Sequence, residues 1–474
     1  MHEGSRDEGA DDEAVAAEVP GHHEGSLDEP LDRRALIAVA VLVIVGTVVM
    51  ATRHGGGQSR AAEPTARPRP DVILVAVDGL GAEDVSSRRT PFLEGFKAES
   101  VVYRDAYAPS PWASEALRGL LTGQHRPVDR RTEGWVPGIA DELQRVGYRT
   151  ALVPGHVRHA LGAGEESAVP TGYAEVLTVA GLEDPAGAEG SSVAAAALDW
   201  LGRSERPCLL VVTLADPRAP HHHYQGGSGG PDPSYEGPVE SGLDHDDLLR
   251  LGPDLDAADR AQLAALHATE VAAADAFVHQ LIEGARAHRD VAPVIVIAGL
   301  RRPALGEAGR FGLVPSMEPE DLRVPLWLHV PAAQAGTPAL RGVVGAPVSL
   351  LDVGPTLLCA LGLAPRAGLD GSSIYPGSAV PERPIRAVTS RGICAAVGFD
   401  GDRAVILEAE PPAALVRTRG AEGGSEEGGR WTPSKSVTGA DADLRLGLAR
   451  WMKRAGIEVP GGGVPDLEAA PFTP

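Results

Sequence analysis

Cysteine and aromatic residues are scarce in this chain. Its 474 residues include three cysteines, Cys208, Cys359 and Cys394, and no two of them have the C-x-x-C spacing of a metal site. A disulfide framework is therefore excluded, and Cys208, inside an apolar run, is expected to be an inert core thiol. Aromatic residues make up only 4%, so the core must be built mainly from aliphatic side chains.

Basic residues are also outnumbered. Lys and Arg total 43 against 65 Asp and Glu, which gives a formal net charge of −22. Such a chain repels a phosphate backbone, so nucleic acid is excluded as a partner. Hydrophobic residues nonetheless reach 43%. At about 100–200 residues per domain, the length allows one large folded domain or several small ones.

One long apolar run lies near the N-terminus. Residues 35–52 read ALIAVAVLVIVGTVVMAT without a charge, close to the roughly 20 residues that cross a bilayer. A cleaved signal peptide is the alternative, but the preceding 34 residues are acidic where a short basic segment would be expected. We therefore predict an uncleaved transmembrane helix. Arginines on both sides leave its orientation open on the charge rule.

Apolar, β-branched runs alternate with helical patterns along the rest of the chain. Residues 72–77, 208–213, 291–298 and 324–330 are typical of buried strands, and Ala257–Ala287 has helical spacing. This alternation predicts a doubly wound, mostly parallel α/β sheet. Nearer the C-terminus, residues 404–407 predict a strand and 440–455 a helix, with a low-complexity loop over 419–430 between them.

Ligands of such sheets bind beyond the carboxyl ends of the strands, which directs attention to Asp78, Asp216 and residues 299–301. The motifs there and beyond resemble the sulfatase branch of the alkaline phosphatase superfamily. The matching segments, in the order of that family, are DVILVAVDGL (71–80), TPFL (90–93), APSPW (108–112), GLLTG (119–123), EVAAAD (270–275), RVPLWLHVP (323–331), VSLLDVGPTLL (348–358) and GLDGSS (368–373).

The resemblance implies a fold of the alkaline phosphatase/sulfatase type with a small C-terminal α+β subdomain. We accordingly divide the chain into an acidic disordered tail (1–34), the transmembrane helix (35–52), a flexible linker (53–70), a sulfatase-like domain (71–383) and a C-terminal subdomain with its tail (384–474). The family uses a divalent cation, held by carboxylates, and an activated nucleophile to cleave or transfer esters. Asp78 occupies one of its metal-ligand positions.

The nucleophile position departs from the family pattern. Counting back from Gly123, it is occupied by Ala113, which has no nucleophilic atom. The motif positions that follow hold Glu115, Ala116 and Leu117. Ser114 becomes a displaced nucleophile if one residue was lost before Leu120; the other interpretation is that Ser114 caps a helix. Trp112 is expected to serve packing rather than substrate stacking.

The metal-binding motifs are also altered. Leu300 stands at an aspartate position and Arg301 at a histidine position, and Ala308 replaces a later histidine. Arg218 replaces another histidine, within the segment 216–221. Asp78 is the only retained metal-ligand position. The run His221–His222–His223 is a further candidate for a transition metal, but three adjacent side chains cannot all face one ion, and residues 226–233 after it are expected to form a mobile loop.

These observations favour a membrane-anchored sulfatase-like protein that has lost catalysis, a pseudoenzyme. Arg218, Arg301 and Arg302 are candidates to bind a sulfated or phosphorylated ligand, and no cofactor is expected. One alternative is an active sulfuric-ester hydrolase or phosphoglycerol-type transferase that uses Ser114 with calcium or magnesium. Another is a membrane scaffold with an unidentified protein partner. The apolar run predicts a single-pass protein of the cytoplasmic membrane, and the resemblance implies that its soluble domain faces outward.

Overall fold

The first strand is built from the most apolar segment of the sulfatase-like region. In a computed structural model, its residues Val72–Asp78 are all buried. The structure describes residues 69–125, 137–156, 172–184, 186–204, 207–221, 230–312, 316–332, 340–378, 383–389, 395–409, 412–420, 431–434, 436–454 and 472–473.

Strands in the described ranges number nineteen, and most of them are short. They are β1 (Val72–Asp78), β2 (Val101–Tyr103), β3 (Ala106–Tyr107), β4 (Arg149–Val153), β5 (Glu175–Val176), β6 (Cys208–Leu214), β7 (Val294–Arg301), β8 (Ala304–Leu305), β9 (Phe311–Gly312), β10 (Arg323–Val324), β11 (Leu326–His329), β12 (Gly342–Val344), β13 (Val348–Ser349), β14 (Ile385–Thr389), β15 (Ala395–Asp400), β16 (Arg403–Ala409), β17 (Pro412–Arg419), β18 (Trp431–Pro433) and β19 (Phe472–Thr473).

The α-helices of the same ranges lie between these strands and after them. They are α1 (Pro91–Lys97), α2 (Ala113–Thr122), α3 (Ile139–Arg145), α4 (Gly190–Arg203), α5 (His245–Leu251), α6 (Ala257–Ala287), α7 (Pro319–Leu322), α8 (Val353–Ala360) and α9 (Gly439–Arg454).

The main sheet has eight strands in the order β12-β2-β11-β7-β1-β6-β4-β5. Strands β7, β1, β6, β4 and β5 run parallel, and β11 is antiparallel to both of its neighbours. Apolar residues on both faces of β1 enter separate core clusters, since Ile73 packs with the group containing α4 and α6 while Leu74 packs with the group containing α2 and α3. The predicted mostly parallel α/β sheet is thus confirmed.

A second sheet begins at Ile385 and is antiparallel over β14-β15-β16-β17-β18, with β19 added parallel to β17. Helix α9 packs on it through Leu444, Leu448 and Met452. This is the predicted C-terminal strand and helix, in a larger sheet than the sequence indicated.

The predicted transmembrane helix lies outside the described residues, as do the acidic tail and most of the linker. Among the residues that the structure does describe, no helix is both long and apolar enough to cross a membrane. The anchor therefore stays a prediction. Most of the expected low-complexity loop, residues 421–430, is also outside the described ranges, and Arg419 itself ends β17.

Candidate functional site

The carboxyl ends of three neighbouring strands meet at one edge of the main sheet. Strand β1 lies between β6 and β7, and all three are parallel. An irregularity in the β1–β7 register brings Asp78 opposite Arg301 at this edge. The loop after β6 continues through Asp216 to Arg218. The topology therefore brings together two of the three arginines that the sequence singled out, beside the one retained metal-ligand position.

Asp78 is held between two guanidinium groups. Arg301 Nε donates to Asp78 Oδ1 at 3.0 Å, and Arg218 Nε lies 3.6 Å from Asp78 Oδ2. Asp78 is 2% exposed and Arg301 is 5% exposed, so water screens these charges little. With two guanidinium groups and one carboxylate, this Asp78 site carries a formal charge of about +1 in a low-dielectric setting.

The residues at this edge do not fit the divalent cation that the family resemblance implies. Both Asp78 oxygens face a guanidinium, so a metal ion there would meet two like charges. Leu300, at the family's aspartate position, is fully buried in the hydrophobic core. A hard cation needs several oxygen ligands, and Asp78 is a single carboxylate whose two oxygens already face guanidinium groups.

Glycines allow the arginines to come this close. Gly79 has a φ of +96°, and a Cβ built there would lie 2.5 Å from the Pro217 carbonyl and 2.8 Å from Arg218 N. Any side chain at residue 79 would therefore push the Arg218 segment away from Asp78. Gly81 likewise makes room for the side chain of Arg302, because a Cβ added at residue 81 would lie 2.6 Å from Arg302 Cδ.

Arg302 faces a different set of carboxylates. Its Nη1 donates to Glu307 Oε1 at 2.8 Å, and its Nε lies 3.9 Å from Asp84 Oδ1. Burial alone would lower the pKa of Arg302, but Asp84 and Glu307 reverse that effect and raise the pKa above its ordinary value. The structure thus places Arg218 and Arg301 together on Asp78, and Arg302 beside them in a separate ion pair.

His245, on α5, interacts electrostatically with the two arginines of the Asp78 site. Burial lowers the pKa of His245, the positive charges of Arg301 and Arg218 lower it further, and Asp246 and Asp244 oppose them. The lowered pKa favours the neutral form of this imidazole beside the two guanidinium groups.

The nucleophile segment begins helix α2 and forms structural contacts. The first helical residue is Ala113 and the N-cap is Trp112, whose carbonyl accepts from Ala116 N at 2.8 Å. The interpretation of Ser114 as an N-cap is therefore wrong, because the helix begins one residue before it. In the described part of the chain, the Ser114 hydroxyl contacts no imidazole or carboxylate that would activate it.

Neighbouring side chains fix this segment. Ser110 Oγ donates to Glu115 Oε2 at 2.7 Å, and Trp112 N donates to Ser110 Oγ at 3.2 Å. Trp112 Nε1 donates to Thr389 Oγ1 on β14 at 3.1 Å, which agrees with a packing role. The inert character of Cys208 is supported too, because burial raises the pKa of its thiol to about 12.

A second polar cluster joins His221, from the candidate histidine run, to His267 and Glu270, which sequence reasoning missed. His221, His267 and Glu270 are all at most 1% exposed, and His221 Nδ1 lies 2.5 Å from Glu270 Oε2. His267 Nε2 lies 3.4 Å from Asp84 Oδ2. The available signal was the spacing H-x-x-E on α6, which puts His267 and Glu270 on one helix face. His222 and His223, the other members of the histidine run, lie outside the described residues.

Comparisons with known proteins agree with this architecture. Residues 70–363 match the family model described as sulfatase. An N-acetylgalactosamine-6-O-sulfatase of Bacteroides thetaiotaomicron is 29% identical over 102 residues, 18% of this chain, and the chain spans 20% of that relative's length.

Two solved structures resemble the chain over most of its length. One, described as a protein in the alkaline phosphatase superfamily from Vibrio parahaemolyticus, has a TM-score of 0.58 at 13% identity, over 82% of this chain and 88% of that one. The phosphonate monoester hydrolase of Agrobacterium radiobacter has a TM-score of 0.56 at 16% identity, over 74% and 89%. At these identities the likeness shows the fold.

Proposed function

The chain belongs to the sulfatase family, and from this premise we propose that it binds the sulfate or phosphate group of a ligand without hydrolysing the ester. The observation that carries the proposal is the Asp78 site. There the one retained metal-ligand carboxylate is neutralised by Arg218 and Arg301, and positive charge remains.

Loss of hydrolysis is supported by residue chemistry at three places. Ala113 offers no nucleophilic atom, and Leu300 and Arg301 offer no ligand to a hard cation. Ester cleavage in this family needs both a nucleophile and a cation that polarises the ester oxygens. Because these losses affect different segments of the chain, a local shift in alignment does not restore the site.

Retention of anion binding is supported by the charge that replaces the cation. Guanidinium groups donate N–H bonds in a planar fork that matches sulfate and phosphate oxygens, and such bonds are stronger when both partners are charged. Each arginine contacts Asp78 through Nε, which is one of five N–H donors of a guanidinium group. An anion at the Asp78 site would share these guanidinium groups with Asp78.

Calorimetric titration of the full chain with glucosamine 6-sulfate, glucosamine 6-phosphate and unmodified glucosamine tests this proposal. We expect heat from the two charged sugars only. Arg301→Gln should weaken binding by about 10–100-fold, since it removes a hydrogen bond between charged groups. Arg250→Gln is the matched control, because Arg250 pairs with Asp247 at the exposed surface.

The variant Asp78→Asn distinguishes the proposal from the hydrolase alternative, because the two predict opposite effects: a gain in anion binding or a loss of turnover. If the arginines bind the anion, removing the carboxylate that competes for them should tighten binding. If Asp78 is instead the ligand of a catalytic metal, the same variant should abolish turnover of aryl sulfate or aryl phosphate in added calcium or magnesium. Turnover that is lost in Ser114→Ala, or charged sugars that produce no heat with the folded protein, would refute the proposal.

A further inference from the structure

A compact set of side chains that could ligate a metal lies against the loop that carries Arg218. His221 ends the loop that carries Arg218, while His267 and Glu270 lie one turn apart on α6. Each offers one ligand atom within 4.8 Å of the others, and all three residues are buried. Asp84, at the end of the 3-10 turn Ala82–Asp84, borders the group through His267.

The hydrogen bond of His267 fixes which of its nitrogens faces the cluster. Nδ1 lies 3.1 Å from the carbonyl oxygen of Pro217, which can only accept, so Nδ1 carries the proton. In the neutral ring, Nε2 then presents its lone pair toward Asp84 Oδ2 at 3.4 Å. Two electron-rich atoms at this distance require a cation between or beside them, either a proton or a metal ion.

This arrangement matches the surroundings of metal-bound histidines. Such a histidine usually donates its second ring nitrogen to a backbone carbonyl or a carboxylate, which sets the ring orientation. His267 meets this condition through Pro217. His221 Nδ1 and Glu270 Oε2 lie 2.5 Å apart, so these two residues bring their donor atoms together at one point. The two imidazole rings stand nearly perpendicular, with centroids 5.6 Å apart.

We propose that His221, His267 and Glu270, with Asp84 at their border, form a buried site for a zinc-type transition-metal ion. Zinc bonds of about 2.0–2.1 Å in a tetrahedron place neighbouring donors about 3.3 Å apart, close to the His267–Asp84 separation. Imidazole donors favour such an ion over calcium or magnesium, which prefer oxygen ligands alone. Glu270 and Asp84 bring negative charge to a divalent ion, although Arg302, 3.9 Å from Asp84 Oδ1, offsets part of the Asp84 charge.

The role of this metal would be to position Arg218. The loop between Asp216 and His221 carries Arg218, and α6 is one of the longest elements in the described ranges. An ion shared by His221 and α6 would fasten that loop to the helix and so hold the guanidinium at Asp78. This site lies apart from the Asp78 pair, and its metal is not a participant in anion binding.

Metal analysis of the full chain, purified without a histidine tag, tests the proposal. We expect about one zinc ion per chain after dialysis against zinc, and a visible absorption spectrum of tetrahedral cobalt after replacement by Co²⁺. His267→Gln and Glu270→Gln should lower zinc affinity by about 10–100-fold or more. Zinc should also raise the melting temperature of the native chain and not that of His267→Gln.

Two controls identify the ligands. His288→Gln changes an exposed histidine that contacts the Gly284 carbonyl, and it should leave the zinc content unchanged. The double variant His222→Ala/His223→Ala controls for capture by neighbouring histidines and should also retain the metal. Folded native chain with no bound zinc and no cobalt spectrum would overturn the site. Equal zinc content in the native chain and in His267→Gln would overturn it as well.

Discussion

A buried carboxylate needs a counter-charge, and the source of that charge decides what the residue can do. At Asp78 the chain supplies it, through Arg301 on the adjacent strand and Arg218 on the next loop. An enzyme that binds a cation there must leave the carboxylate available until the cation arrives. In this chain the carboxylate is neutralised as the protein folds, so a metal ion would have to displace two guanidinium groups.

Gly79 allows a prediction that isolates the close approach of the Arg218 segment. Gly79 and Gly147 have nearly the same φ, +96° and +93°, but an added Cβ meets Pro217 and Arg218 at the first and nothing within 4 Å at the second. Both alanine variants incur the cost of a left-handed residue, about 1 kcal/mol. Gly79→Ala should lose a further 1–3 kcal/mol or so from overlap with backbone.

Denaturant unfolding of the two alanine variants and the native chain measures this difference. Gly79→Ala should also weaken sulfate binding, because the loop that carries Arg218 is displaced, while Gly147→Ala should not. Equal free energies of unfolding for the two variants would show that the loop moves aside at no cost.

At the scale of elements, apolar patterns predicted the buried strands. Proline explains where the observed strand bounds differ from the predicted ones. Strand β1, strand β6 and helix α6 appear within a residue or two of their predicted bounds, because each is a long segment uninterrupted by proline. Strand β7 begins at Val294 rather than at residue 291, since Pro293 has no N–H for the ladder. Pro325 likewise divides the predicted strand 324–330 into β10 and β11.

Helix α1 is capped by a residue far away in sequence, which gives the prediction at this scale. Asp275 on α6 accepts from Phe92 N at 3.1 Å and from Leu93 N at 2.8 Å, whereas Thr90, the local N-cap residue, provides no capping side-chain bond. Asp275→Ala should therefore cost about 1–2 kcal/mol of unfolding free energy, as loss of a local N-cap does.

The matched control is Asp199→Ala, which breaks an exposed ion pair with Arg203 on α4. Such a surface change should stay within about 0.5 kcal/mol of the native chain. Chemical unfolding of both variants measures the difference. A cost for Asp275→Ala no larger than that for Asp199→Ala would mean that water caps α1 equally well.

At the scale of the whole molecule, the sequence revealed which chemical groups had been lost more clearly than how the remaining ones meet. Family motifs located Ala113, Leu300 and Arg301 by counting from fixed landmarks, which needs no structure. The convergence of Arg218 and Arg301 on Asp78 depends on strand order and on a register irregularity, which no local pattern encodes. The cluster of His221 with His267 joins residues 46 positions apart, so spacing could not show it.

Ion pairs connect the C-terminal sheet to the main domain, and they lead to a prediction of whether the two sheets unfold independently. Arg417 on β17 donates through Nε and Nη2 to both oxygens of Glu318, at 2.9 Å and 2.8 Å. A bidentate, half-buried pair of this kind is stronger than an exposed one. Arg417→Ala should therefore weaken docking of the C-terminal sheet by about 1–2 kcal/mol.

Native-state hydrogen exchange distinguishes local from global effects. Amides of β14–β18 should exchange about 5–30-fold faster in Arg417→Ala, while those of β1, β6 and β7 keep their protection, because the core on the α4 and α6 face of the main sheet contains no residue of the C-terminal sheet. Arg203→Ala, which removes an exposed arginine from α4, should alter neither set. If protection falls equally in both sheets, they unfold as one cooperative unit and the ion pair stabilises the whole fold; if it falls in neither, the pair contributes nothing measurable to docking.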